Sequence, residues 1–182
     1  MANCLISNGY ELTGCTKDNV GGLNKIYIAN WKDVDTHVVY SGSTGEIATL
    51  GSGYDWFAFD LVKETSSWVE NVAVNVQNGT LSFTPSVTLV MNKLTTDQRN
   101  LVSMLATTLL TVIAEDNNGN LIMLGRVKGL DVTTLEMGSG TANADRNGVS
   151  ITMTGAENVS SAFLSTAAVA ELLPIGTGLA TY

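Results

Sequence analysis

The stretch that most constrains this chain is residues 91–136, MNKLTTDQRNLVSMLATTLLTVIAEDNNGNLIMLGRVKGLDVTTLE, where a short helical signal runs directly into strand signals. Thr95 is a good N-cap. Gln98, three residues on, completes a capping box that satisfies amides a helix start otherwise leaves orphaned. Leu101, Met104 and Leu105 follow at helical spacing on one face, with Asp97, Asn100 and Ser103 turned elsewhere. From Thr107 the run TTLLTVIAE is rich in Thr, Val, Ile and Leu, which predicts a mostly buried strand. Asp116, Asn117, Asn118 and Gly119 tolerate positive φ, so 107–115 and 120–126 are predicted to form a hairpin. One amphipathic helix of about three turns must lay its apolar face on a sheet or on a neighbouring subunit. The rest of the chain is expected to supply that sheet.

Before the helix, residues 25–31 are apolar on both faces, with Ile26 and Ile28 against Tyr27, Ala29 and Trp31, and read as a central or interfacial strand. Shorter strands are predicted at 38–40 and 46–50 around the turn at 41–45, and a further one at 56–62. Tyr54, Trp56, Phe57, Phe59 and Trp68 crowd together here, reading as sheet core rather than as a ligand platform. Residues 67–76 alternate, with Trp68, Val72, Val74 and Val76 on one face, and 77–79 turn the chain back. Period-two alternation is cleanest in 81–91, where Leu81, Phe83, Val87, Leu89 and Met91 oppose Ser82, Thr84, Ser86 and Thr88. Pro85 removes one ladder donor and argues for an edge strand or a bulge. Strands at 127–137 and 149–154 follow, separated by a loop at 138–147. The Ala- and Leu-rich end, SSAFLSTAAVAELL, predicts a helix of about three turns that stops at Pro174 and Gly176 and seeks burial in its own domain or against a neighbour. Residues 1–159 are thus expected to form one β-rich domain with an N-terminal arm, and 160–182 a C-terminal helix or arm.

Only 14% of the 182 residues are charged, against roughly 25% in ordinary soluble domains. A surface this low in charge suits a subunit that buries much of its exterior against copies of itself, and equally a β-protein surfaced with Thr and Ser. Nine basic and seventeen acidic residues give −8, and no Lys or Arg follows Arg146, so the clustered cations that phosphate binding needs are missing. No apolar window is long enough to span a membrane, and the N-terminus lacks a signal-peptide pattern, so synthesis in a cytoplasm with Cys4 and Cys15 reduced is expected.

Chemical motifs are weak. Asp116, Asn118 and Asn120 alternate like calcium ligands, but Leu121 stands where such a loop needs glycine and Val127 where it needs an acid, so the segment reads as a turn. His37, near Asp33 and Asp35, lacks a nucleophile context and reads as an exposed loop residue. Asp60, Glu64, Glu70 and Asp131 show no spacing that establishes an acid and base pair. No catalytic residue, cofactor or metal ligand is assigned.

Two segments carry a resemblance. Residues 14–31, GCTKDNVGGLNKIYIANW, and 89–157, with EDNNGNLIMLGRVKGLDV and SGTANADRNGVSITMTGAE, resemble a family of virion structural proteins of tailed bacteriophages, found especially in phages of Bacteroides and its relatives, including crAss-like phages. The order strand, capped helix, hairpin, strand, turn, strand is similar to the β-barrel-plus-helix fold of tail-tube subunits. The resemblance implies a mainly β barrel or sandwich with one flanking helix and a non-enzymatic role in the virion. Its partners would be copies of itself and other virion proteins. No cofactor, sequence-specific nucleic-acid binding or membrane contact is expected. A tail-tube-like assembly is the leading expectation; a capsid auxiliary protein is the alternative, and a carbohydrate- or receptor-binding module the alternative of another class. Candidate assembly contacts are Pro85, the loop residues Gly138, Ser139, Gly140 and Asp145, and Phe163, Leu164, Leu172 and Leu173 near the C-terminus. Deleting 160–182 is expected to leave a folded domain that assembles poorly.

Overall fold

A computed structural model describes Gly9 and residues 19–175, apart from the side chains of 173–175. The readings of residues 1–18 as an arm, of Cys4 and Cys15, of the Leu173 side chain and of 176–182 lie outside the described residues. The elements in chain order are β1 (Leu23–Asn30), α1 (Trp31–His37), β2 (Val39–Ser41), β3 (Glu46–Thr49), β4 (Phe57–Asp60), β5 (Ser67–Asn75) and β6 (Thr80–Asn92). They continue with α2 (Thr96–Leu105), β7 (Leu110–Asp116), β8 (Leu121–Leu124), β9 (Asp131–Gly138), β10 (Gly148–Thr154), β11 (Ala162–Phe163) and α3 (Thr166–Ile175).

The strands form a five-stranded sheet of order β11-β8-β7-β1-β4, a four-stranded sheet of order β5-β6-β10-β9, and the small β2–β3 hairpin. Among the described residues both larger sheets keep open edges, so the architecture is a sandwich and not a closed barrel. Alternation along the five-stranded sheet splits its apolar residues between two cores. Ile26, Ile28, Val112, Ala114, Ile122 and Leu124 face the four-stranded sheet, meeting Val87, Leu89, Met91, Val149, Ile151 and Met153. Tyr27, Ala29, Ile113, Leu121 and Met123 face the other way, where Val34 of α1, Ile47 of β3 and Ala168 and Leu172 of α3 cover them. The two-faced apolar pattern of β1 thus has its expected cause: the strand is interior to its sheet and buried on both sides.

The capping box at α2 forms as read, with Thr95 Oγ1 accepting from Gln98 N and Gln98 Oε1 accepting from Thr95 N, both at 3.3 Å. Its buried face is Leu101, Val102 and Leu105, while Met104 is 63% exposed. Residues advance about 100° each around a helix, so the Leu101–Leu105 pair centres the stripe on Val102's side and leaves Met104 outside it. The following strand starts at Leu110 rather than Thr107. Thr107 Oγ1 and Thr108 Oγ1 donate to Met104 O at 3.0 and 3.1 Å, so these β-formers serve instead to satisfy the end of the helix. Likewise β9 starts at Asp131 rather than at 127, because residues 125–129 form a turn with Gly125 and Gly129 at positive φ. The buried Glu157 carboxylate accepts from Val127 N and Lys128 N and holds that turn.

Two further boundaries differ from expectation. Trp31 opens α1, a helix too short for periodicity to announce. At the C-terminal end, 162–163 pair with Ile122 and Met123 as edge strand β11, and the helix begins only at Thr166. Ser165 accounts for the delay: its N donates to Ile47 O and its Oγ accepts from Ala168 N, an N-cap one residue before the helix.

Candidate assembly surfaces

Pro85 does not lie on an edge. It sits on β6 between β5 and β10, buried, opposite Glu70 of β5. Gly155 N donates to Pro85 O at 3.2 Å, while the return bond from Pro85 is impossible. The register continues without a bulge to the Phe83–Glu157 bridge, so the proline costs one ladder bond inside a sheet and is inaccessible to another copy. Leu164 and Leu172 are also buried, in the core under α3, whereas Phe163 is half exposed on β11.

Gly138, expected in the loop, instead ends β9 paired with Gly148, while Ser139, Gly140 and Asp145 lie in the loop between β9 and β10; all four are exposed. Asp145 Oδ2 accepts from Thr141 N at 2.8 Å and Ala142 N at 2.7 Å. Those backbone bonds hold its carboxyl below the ordinary range. In the β7–β8 turn burial acts to raise the carboxyl of Asp116, but bonds from Asn120 and Asn118 outweigh it and the net shift is downward. The calcium-like spacing is therefore used up within the turn. A carboxylate whose folded pKa is depressed stabilises the fold fully above its unfolded pKa, about 3.9, and loses that contribution as pH falls through the lower folded value. The backbone amide NMR shifts of Asn118, Asn120, Thr141 and Ala142 are accordingly expected to stay constant from neutrality down to about pH 5 and to titrate with midpoints below about 3.9. Midpoints at or above that value would contradict both networks.

The loop and the far end of β6 mark opposite ends of one sheet. Gly148, where the loop re-enters the sheet, pairs with Asn92, and Thr154 at the other end of β10 pairs with Ser86. Beyond Ser86 the β5–β6 hairpin runs on past the sandwich. Its residues pair in register from Glu70–Pro85 to Asn75–Thr80, yet Val72, Val74 and Leu81 are 53, 66 and 51% exposed. These side chains share the face that carries Val87 and Leu89 into the core. Alternation alone does not distinguish them from core, because the pattern is the same whether or not a second layer covers it. The separating signal is composition: no charged residue occurs from Asn71 to Thr84.

Both edges of the four-stranded sheet are open among the described residues. β5 pairs only with β6, and β9 only with β10. Neither contains Lys, Arg or Pro, the residues with which natural edges are often protected. On the outer face Ser67, Thr88, Thr152 and Thr134 stand in one cross-strand row, and none of the four strands carries a cation.

Within the aromatic cluster Trp56 is 2% exposed beneath the five-stranded sheet, Phe59 is buried and Trp68 packs half-buried against the inter-sheet core, but Phe57, read as core, is 54% exposed because it opens the edge strand β4. His37, exposed at the end of α1, hydrogen-bonds Asp33 O and Thr36 Oγ1 and lies beside Tyr54. Glu70 accepts from Ser161, and Asp60 pairs at 3.6 Å with Lys25 on the neighbouring strand of the five-stranded sheet, so these acids are engaged separately. Among the described residues no three of His, Cys, Asp and Glu are grouped where they could hold a metal ion. No described helix is long and apolar enough to cross a membrane.

No protein-family model matches the chain, and no curated protein matches it. Among solved structures the chain is similar to one from the virion of a native gene transfer agent particle, at 11% identity and a TM-score of 0.39, over 59% of this chain and 89% of that one.

Proposed function

We propose that this chain is a non-enzymatic structural subunit of a tailed-phage virion that assembles with copies of itself into a tail-tube-like stack of rings. The observation that carries the reading is the pair of open edges on one sheet, β5 of nine residues and β9 of eight, both without protective cations or proline. In the antiparallel order β5-β6-β10-β9 the two edge strands run in opposite directions. A copy placed beside the first in the same orientation therefore presents β9 antiparallel to β5, and the sheet continues from subunit to subunit. Such a contact is heterologous, so it closes into a ring or opens into a helix according to the rotation per step. The projecting hairpin and the 138–147 loop then stand at opposite ends of each subunit, available for stacking. The Ser/Thr face without cations suits a lumen through which DNA passes unbound, since retention needs phosphate neutralisation.

Negative-stain electron microscopy with light scattering, across a series of protein concentrations, tests the reading. Rings or tubes with a central lumen are expected. Small closed oligomers without a lumen would favour a capsid auxiliary protein that uses the shell as its template, and a persistent monomer would remove the self-assembly premise.

A further inference from the structure

We infer that the apolar face of the β5–β6 arm is covered, in the assembled protein, by a second copy of this chain, and that the arm is held rigidly at its root for that contact. The inference deepens the self-assembly reading and rests on it. Val72, Val74 and Leu81 are all more than half exposed and with Phe83 extend the core face of the sheet beyond the layer that covers it, and Val76, 89% exposed, follows in the turn. The opposite face of the same arm, Asn71, Ala73, Asn75, Ser82 and Thr84, is small or polar. A solvated arm has no need of this division between its faces.

Three features point to a second copy as the occupant. First, the chain carries −8, so copies approach one another most cheaply through surface without acids, and residues 71–84 offer fourteen consecutive uncharged positions. Second, the arm is the outer half of β5, and a copy that pairs along this strand comes to lie beside the arm. Third, the arm and the open edge share strand β5, so one partner covers both, toward the roughly 800 Å² per partner that a stable specific interface buries.

The root of the arm is fixed from both sides. Glu70 Oε1 accepts from Ser161 N at 2.9 Å and from Ser161 Oγ at 2.6 Å. On β6, Phe83 and Glu157 exchange both backbone bonds, at 2.9 and 2.7 Å. The 157–161 segment thereby ties both strands of the arm to the body, and a pre-ordered arm loses little freedom on docking.

Sedimentation velocity of the full chain over a concentration series tests this, with Val74→Asp and Leu81→Asp on the apolar face and Ala73→Asp and Ser82→Asp on the other. The controls add the same charge to the same arm. Both apolar-face variants are expected to need at least about tenfold more protein to associate, a loss typical of an interface residue that matters, while the controls stay within about threefold of wild type. At concentrations where every chain is monomeric, all four are expected to keep the wild-type melting temperature. Equal loss on both faces, or no loss on the apolar face, overturns the inference while leaving the self-assembly reading standing. A wild-type chain that never associates removes that reading and the inference with it. A monomer whose own melting temperature drops with Val74→Asp makes the arm part of the monomer's own packing and also overturns the inference.

Discussion

A chain ending at Val159 is expected to lose its cooperative unfolding transition, rather than to remain a folded domain that merely assembles poorly. The reason lies in what residues 160–175 cover. Ala162, Leu164, Ala168 and Leu172 are buried in the core on the outer side of the five-stranded sheet, packed with Ile47, Ile113 and Met123. Removing them strips β11 from the edge of β8 and returns those three large side chains toward water. Burial of a leucine contributes roughly 1.5–3 kcal/mol, and two leucines are lost here with two alanines. The Glu171 carboxylate is lost as well, which accepts from Leu50 N at 2.6 Å and Gly51 N at 3.3 Å. Together these losses approach the whole stability of an ordinary domain, about 5–15 kcal/mol. Urea titration followed by tryptophan fluorescence checks the expectation, since Trp56 belongs to the same core. A truncated chain that unfolds with the wild-type midpoint would make the segment an appendage. Leu172→Ala, expected to cost about 2–5 kcal/mol, supplies the graded version.

Much of this architecture was legible because alternation and capping are local physics. β6 and β10 show a period of two, β1 shows apolar residues on both faces, and Thr95 with Gln98 announces the start of α2. What stayed illegible depends on partners distant in sequence. Val72 and Val87 carry the same strand signature, and only the extent of the opposing layer makes one exposed and the other core. Pro85 suggested an edge because its missing donor usually needs one. Here β10 follows it and forgoes a single bond. Thr107 and Thr108 have strand propensity, but they stand directly behind a helix end whose carbonyls need donors. Of the candidate contacts, the loop residues and Phe163 are accessible, whereas Pro85, Leu164 and Leu172 are spent inside the subunit. The arm was not legible as a surface because alternation looks the same on a covered and an uncovered strand.

Val87→Asp is expected to abolish folding at neutral pH, and the comparison with Val74→Asp is what gives the result its meaning. Val87 stands on β6 between Trp68 of β5 and Met153 of β10, with its side chain fully buried among Leu89, Val149 and Ile151 in the inter-sheet core. Of these neighbours only Trp68 carries a side-chain donor, its indole N–H, and the others carry none. An aspartate there must bury an unpaired carboxylate or take up a proton, and leaving the core is the cheaper alternative for a fold stabilised by only about 5–15 kcal/mol. The predicted outcome is loss of near-ultraviolet circular dichroism and of the urea transition. Val74 lies on the same sheet face, and its partner Leu81 is six residues along β6 from Val87, yet the same substitution there meets water and is expected to leave the transition unchanged. If both variants unfold, the arm is part of the monomer's core. If both fold, the inter-sheet packing around Val87 is wrong. Only unfolding at Val87 with retention at Val74 fits a sandwich whose apolar face continues, unoccupied, beyond its own second layer.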